Sequence, residues 1–151
     1  MAIARGAGTE IIRAHHLSCD STARIGIYGV RHHIYTVLSC ICYADALGSA
    51  GDWVEMYLTC YNSGAGTPQG IRTIFKQEMQ IDQTFVWNDK FSFNGYEPVD
   101  FTGPVDSEAK QDAIADQLVS GDSNRQILYF DTQSASDGID IFLTYIDQNN
   151  S

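Results

Sequence analysis

The sequence predicts an all-β protein: an antiparallel β-sandwich or jelly roll of about eight strands, with one short helix inserted late in the chain. Short runs rich in β-branched and aromatic residues recur, and several alternate as strands do. Turn residues separate these runs at the short intervals typical of sandwiches and jelly rolls. A chain of 151 residues suits one domain. We place that domain at residues 10–151, after an N-terminal arm at residues 1–9.

The first third of the chain contains the arm and three predicted strands. The arm is rich in small residues and includes two glycines. Strands are expected at residues 10–17 and 24–30, the second interrupted by glycines. The clearest strand spans residues 34–44, where β-branched and aromatic residues disfavour a helix. Both faces of this run are largely apolar, which predicts a central strand covered on two sides.

Four more strands are predicted in the middle of the chain. The segment WVEMYLTCY, residues 53–61, alternates with a strand period. The glycine-rich segment at residues 62–70 is predicted to be a loop, and residues 71–81 return as a strand. Short strands follow at residues 84–87 and 91–93, separated by an Asn-Asp turn signal.

The pattern changes after residue 93. An insertion at residues 98–124 contains the predicted helix, for which Ser107 suits the N-cap and Gly121 can end the last turn. Two further strands, at residues 126–131 and 139–146, close the chain on either side of a turn. The helix is therefore interpreted as an insertion between late strands of the sandwich.

The charge of the chain excludes two classes of partner. Nineteen acidic residues against nine basic ones give a net charge of −10, which disfavours both nucleic acid and anionic membranes. Residues 1–75 contain five bases and five acids, so residues 76–151 carry the whole excess. This distribution predicts an anchoring N-terminal end and a solvated acidic remainder.

The cysteines and the N-terminus predict synthesis in the cytoplasm without export. The first residues lack the apolar region of a signal peptide, and no run is long and apolar enough to span a bilayer. Cys40 and Cys42 lie two residues apart on a strand, share a face and cannot easily bond each other. We expect these two, with Cys19 and Cys60, to be buried free thiols, and two disulfides remain the alternative.

No constellation of catalytic or metal-binding residues stands out. Neighbouring histidines on a strand point to opposite faces, so neither pair of adjacent histidines can easily hold one metal ion. The apolar run around Cys40 disfavours a thiolate nucleophile. Most aspartates lie beside turn residues, which explains them without acid–base catalysis. We therefore predict no catalytic residue, no metal and no cofactor, and a protein that is not an enzyme.

Large aromatic residues are the remaining feature. Trp53, Tyr57 and Tyr61 share one face of a predicted strand. We favour the sandwich core for Trp53 and Tyr57. The alternative is an exposed aromatic patch that contacts another protein or a sugar ring.

Several segments together resemble a known class of protein. They are HHIYTVLSCICYADALGS, the strand WVEMYLTCY, the run from Asp82 to Phe93 that contains TFVWNDKF, and the closing DIFLTYID. This layout is similar to the small β-sandwich virion proteins of tailed bacteriophages, particularly marine and cyanobacterial phages. The resemblance covers residues 34–93 and 126–147. The insertion at residues 98–124 departs from it and leaves the position in the virion open.

The resemblance implies a capsid decoration (cement) protein, or an accessory head or tail protein, without catalysis or cofactor. Such a protein binds the major capsid protein on the outer capsid surface and forms a homo-oligomer, with a trimer favoured. The alternatives are a neck or tail accessory protein, or a carbohydrate- or receptor-binding module that uses Trp53, Tyr61 or Tyr96. Basic residues and histidines cluster before residue 34, and these form the candidate interface: Arg5, Arg13, His15, His16, Arg24, Arg31, His32 and His33.

Overall fold

The structure, a computed structural model, describes residues 9–30, 33–62, 67–95, 107–108 and 125–149, with the backbone alone at residues 9, 60–62 and 67–69. Nine strands account for most of these residues. They are β1 Thr9–Cys19, β2 Arg24–Tyr28, β3 His33–Ala46, β4 Trp53–Asn62, β5 Thr67–Glu78, β6 Thr84–Trp87, β7 Phe91–Asn94, β8 Ile127–Thr132 and β9 Gly138–Asn149.

The strands form two antiparallel sheets. The five-stranded sheet has the order β1-β9-β3, and β6 and β7 pair with successive parts of the other edge of β3. The four-stranded sheet has the order β2-β8-β4-β5. β1 to β4 lie alternately in the two sheets, and so do β7 to β9. Each sheet therefore places a late strand between two early ones, β9 between β1 and β3 and β8 between β2 and β4. This interleaving is the order of a jelly roll, and it confirms the predicted all-β sandwich.

The core lies between the two sheets and draws on alternate residues of each strand. Val37, Cys40 and Cys42 of β3 face Met56 of β4 and Phe130 of β8, and all five are fully buried. Since apolar burial stabilises by about 25 cal/mol per Å², this shared interior is the main stabilising element of the domain. It also holds the outer faces of both sheets rigid.

The predicted strands agree with the structure, with a few differences at their ends. β5 begins at Thr67, inside the segment predicted to be a loop, and ends at Glu78 rather than at residue 81. It is longer because its N-terminal residues continue the ladder with β4, where Asn62 pairs with Thr67. β1 begins at Thr9, the last residue assigned to the arm. The rest of the arm and the predicted helix lie outside the described residues, apart from Ser107 and Glu108.

Two predictions about strand faces are wrong. The core face of β4 carries Val54 and Met56, whereas Trp53 and Tyr57 are half-buried on the outer face of the four-stranded sheet. β3 is central in its sheet, but among the described residues no element covers its outer face, where Ile41 remains exposed. In both cases apolar residues occupy both faces of the strand, so periodicity alone does not identify the inner one.

Candidate functional site

The outer face of the five-stranded sheet carries an apolar row that crosses four strands. Strand register places His16, Phe142, Ile41 and Val86 side by side, one from each of β1, β9, β3 and β6. Phe142 is 49% exposed, Ile41 38% and Val86 52%. The ring of His16 stacks on Phe142 with centroids 4.2 Å apart. Such a contiguous apolar patch is typical of an interaction surface rather than of isolated surface residues.

The neighbouring rows extend this patch without adding a charge. The pairings define three successive rows, which together we call the neutral face. Its members are His16, Phe142, Ile41 and Val86, then Ala14, Thr144 and Ser39, then Ile12, Ile146, Thr36 and Ser92. None of them is Asp, Glu, Lys or Arg. The next row on one side contains Asp140, and the next on the other side contains Glu10. In a chain with net charge −10, a protein partner can cover this face without burying a charge.

At one end of the sandwich, a buried carboxylate joins three strands. Asp147 of β9 accepts a hydrogen bond from Arg13 Nε of β1 at 2.9 Å, and its other oxygen bonds His33 Nδ1 of β3 at 2.6 Å. The Asp147 side chain is only 10% exposed, whereas that of Arg13 is 47% exposed. Beside this junction, burial raises the pKa of Tyr35 to about 12. The Tyr35 hydroxyl therefore stays protonated and accepts the Val30 N–H at 3.2 Å.

A cleft of about 480 Å³ opens next to the Asp147 junction, between β1, β2 and the end of β9. Its polar walls are Arg13, His15 and Asp147, and its apolar walls include Ile25, Tyr28 and Tyr145. His15 Nδ1 lies 2.9 Å from the carbonyl oxygen of Gly26. Because a carbonyl can only accept, that nitrogen carries the proton. The cleft therefore combines a guanidinium, an imidazole and tyrosine rings.

The structure describes five of the eight predicted interface residues, and these lie in three separate places. Arg13, His15 and His33 meet around Asp147 and the cleft. His16 lies on the opposite side of β1, in the neutral face. Arg24 forms an ion pair with Asp20, with an N···O distance of 3.3 Å, and lies away from both the cleft and the neutral face. Arg5, Arg31 and His32 lie outside the described residues. The basic cluster in the sequence is therefore not one surface among the described residues.

The aromatic residues of β4 do not form an open stacking platform in the described part. Lys76 Nζ lies 4.0 Å from the centre of the Trp53 ring, on its face. Tyr57 stacks on Tyr129 of β8 at 5.3 Å. The side chains of Tyr61 and Tyr96 lie outside the described residues. The sugar platform proposed for Trp53 thus has one ring face already taken by a lysine.

The described cysteine thiols are buried in the core. Cys19, Cys40 and Cys42 are free thiols, and the Sγ atoms of Cys40 and Cys42 lie 3.7 Å apart as a thiol contact. Burial raises the pKa of Cys19 to about 12, and the contact with Cys42, followed by burial, raises the pKa of Cys40. The expectation of buried free thiols is therefore confirmed for three of the four cysteines. The side chain of Cys60 lies outside the described residues.

The described residues contain neither a metal-binding cluster nor a membrane-spanning helix. No group of three or more His, Cys, Asp or Glu residues that could hold a metal ion occurs among them. Within the same residues, no helix has the length and apolar character needed to cross a membrane.

Two buried aspartates hold together the loops at the other end of the sandwich. Asp137 accepts the backbone N–H groups of Gly48 and Ser134 at 2.8 and 2.9 Å. Asp52 accepts the Ser49 N–H at 2.9 Å. Burial raises the pKa of Asp52, and its hydrogen bond with Asp137 raises it further. The hydrogen bonds of Asp137 to Gly48 and Ser134 therefore link the β3–β4 loop to the β8–β9 loop.

We expect Asp52→Asn to raise the melting temperature at neutral pH. The folded state raises the pKa of Asp52 above its ordinary value of 3.8. The protonated Asp52 side chain thus contributes fully to the stability of the folded state below pH 3.8, and this contribution is lost as the pH rises through the folded-state pKa. An asparagine keeps an acceptor for the Ser49 N–H and donates permanently to Asp137. Thermal unfolding followed at several pH values should show an advantage at pH 7 that shrinks in acid.

Asp45→Asn is the matched control, because Asp45 is exposed and its replacement changes the net charge equally. A lower melting temperature for Asp52→Asn than for the unmodified chain at pH 7 would show that the folded state needs Asp52 as an anion.

Comparison with known proteins identifies no family for the chain. No protein-family model matches the chain, and no curated protein matches it. Among solved structures, one of Bacillus endospore appendages, described as a novel family of disulfide-linked pili, is similar with a TM-score of 0.43 and 14% identity. The alignment covers 100% of this chain and 97% of that chain. At that level of similarity the comparison carries no argument about function, which rests on the surfaces described above.

Proposed function

We propose that this chain is a non-enzymatic structural protein of a tailed-phage virion, a capsid decoration protein that docks on the major capsid protein through the neutral face. The observation behind the proposal is the row formed by Phe142, Ile41 and Val86, which is exposed and in register across the sheet. A rigid sandwich presents this row as a flat surface. Flatness and lack of charge suit a partner that is itself a flat, uncharged facet of a folded protein.

The size of the neutral face fits a protein that adds stability only in an assembly. Four strands about 4.8 Å apart, with three rows about 7 Å apart, give a flat area of a few hundred Å². That area is below the roughly 800 Å² that each partner buries in a stable pair of proteins. A trimer compensates by avidity, because its three copies bind equivalent sites of one shell, and only the assembled state gains the buried area. Association of the copies with one another, as a trimer, belongs to the same proposal.

The charge around the neutral face supports the choice of partner. Asp140 and Glu10 lie in the two adjoining rows, and the net charge of the chain is −10. An acidic rim disfavours nucleic acid and anionic lipid at this surface. The same rim keeps the undocked protein soluble. The outer side of the shell, away from packaged nucleic acid, is therefore the side we propose.

We expect Phe142→Glu to weaken binding to capsids at least tenfold. The substitution removes an aromatic ring from the centre of the row and places a carboxylate where a partner must exclude water. A tenfold loss corresponds to about 1.4 kcal/mol, which is less than the loss of one buried aromatic anchor. The measurement is co-sedimentation of the purified protein with phage heads that lack it, across a series of protein concentrations.

Ile71→Glu is the matched control, because Ile71 is 57% exposed on β5, in the other sheet. It should bind heads as the unmodified chain does. Equal loss in both variants would overturn the neutral face as the docking surface. Electron microscopy of intact particles tests the function itself: density for the chain on the head supports it, whereas density at the neck or tail supports the accessory-protein alternative. Binding to glycans through the neutral face, with none to particles, would also overturn it.

A further inference from the structure

We propose that the cleft beside Asp147 binds a neutral, hydroxyl-rich ring, that is, one unit of a saccharide. This inference does not depend on the proposed docking function, because the cleft and the neutral face lie on opposite faces of β1. Arg13 and His15 point to the inner side, and Ile12 and His16 to the outer side.

The cleft offers both donors and acceptors. Arg13 donates through Nε to Asp147, and within the described residues its two Nη groups have no other partner. They remain available as donors at the cleft wall. Because His15 Nδ1–H is committed to the Gly26 carbonyl, its Nε2 is the ring nitrogen left for a ligand, and in the neutral imidazole it is an acceptor. The phenolic groups of Tyr28 and Tyr145, which also line the cleft, can do either.

The charge of the cleft argues against an ionic ligand. The guanidinium of Arg13 is balanced by the carboxylate of Asp147, 2.9 Å away. An anion would face that carboxylate in a protein of net charge −10. The second guanidinium near the cleft, that of Arg125, lies 4.1 Å from the centre of the Tyr28 ring and donates to the Gly29 carbonyl. A cation would face Arg13. A hydroxyl group both donates and accepts, so it can satisfy the Arg13 donors and the His15 acceptor together.

The shape and the apolar walls suit a ring. A cleft of about 480 Å³ lies within the range of about 300–1,000 Å³ that small-ligand sites occupy. Ile25, Tyr28 and Tyr145 supply apolar surface beside the polar groups. A pyranose has an apolar face of C–H groups and a polar edge of hydroxyls. Arg125 already lies on the Tyr28 ring, so the apolar face of the sugar can pack against Tyr145 while its edge reaches Arg13 and His15.

The test is a titration of the full chain with glucose, galactose and N-acetylglucosamine, monitored by tyrosine fluorescence and by NMR shifts of the cleft residues. Acetate and sulfate are the ionic controls. We expect saturable binding of at least one sugar and none of either anion. Tighter binding of an anion than of any sugar would overturn the ligand class, and the absence of saturation with all three sugars would overturn the site. A parallel binding measurement on immobilised polysaccharides shows whether the ligand is a free sugar or a unit of a glycan surface.

Variants locate the binding in the cleft. Arg13→Lys keeps a cation near Asp147 but loses the guanidinium fork, and His15→Phe removes the acceptor. Each should weaken sugar binding at least tenfold, whereas Arg72→Lys, on the far strand β5, should not. Circular dichroism checks that every variant is folded. Unchanged binding in both cleft variants would overturn the assignment. Phe142→Glu should leave sugar binding intact, so failure of this proposal and failure of the docking proposal are distinguishable.

Discussion

Replacing Gly95 with alanine is expected to lower the free energy of unfolding by at least about 3 kcal/mol. Its φ angle lies outside the left-handed region, so glycine is required here for space rather than for conformation. A Cβ at Gly95 would overlap the carbonyl oxygen of Val30 and lie 2.6 Å from its nitrogen. Backbone atoms of a neighbouring segment cannot rotate away as a side chain can. One of the two segments must therefore move.

That movement would break a chain of backbone hydrogen bonds at the end of the sandwich. Gly95 N–H donates to the His33 carbonyl at 2.9 Å, and the Gly95 carbonyl accepts from Gln126 N–H at 2.9 Å. The Gln126 carbonyl in turn accepts from Gly29 N–H at 3.0 Å. A Cβ at Gly29 would overlap Gln126 and Gly95 in the same way. The two glycines thus allow the end of β2, the end of β7 and the start of β8 to meet.

Gly138→Ala is the matched control, because a Cβ there would meet its nearest neighbour, the Ala46 side chain, at an ordinary 3.5 Å. Urea unfolding of the two variants should show a large loss for Gly95→Ala and a change near zero for Gly138→Ala. Equal stabilities would mean that the close approach at Val30 relaxes without cost.

The strands could be predicted from the sequence because their signal is local. Alternation, β-branched residues and turn residues identify β1, β4 and β9 without knowledge of their partners. Which face of a strand is buried is less local. In β4 the alternating sets Val54 and Met56 against Trp53 and Tyr57 are both apolar, and only the opposing sheet determines which of them is covered.

The candidate sites were only partly predictable for the same reason. Arg13 and His15 were identified from the clustering of basic residues, but Asp147, the group that Arg13 contacts, lies 134 residues away in the sequence. The apolar row needs strand register as well. Phe142, Ile41 and Val86 come from three separate strands, and a shift of one residue in any of them would turn its side chain to the core.

Replacing Asp147 with alanine is the second change with a large expected effect, a loss of about 2–3 kcal/mol. The hydrogen bond to His33 lies in a largely buried site, with side-chain exposures of 19% and 10%, and supplies most of this loss. The bond to Arg13 contributes less, because that guanidinium is half exposed and water can replace its partner. For a domain of this size each kcal/mol shifts the melting temperature by about 2–4 °C. Thermal unfolding followed by circular dichroism measures it.

Asp147→Asn distinguishes loss of the carboxylate charge from loss of all hydrogen bonding at this position. The amide oxygen can still accept one of the two hydrogen bonds that the carboxylate oxygens make, so we expect a smaller loss than for alanine. Two variants of equal stability would show that the junction acts through charge alone, and that its hydrogen bonds do not hold β1 and β3 to β9.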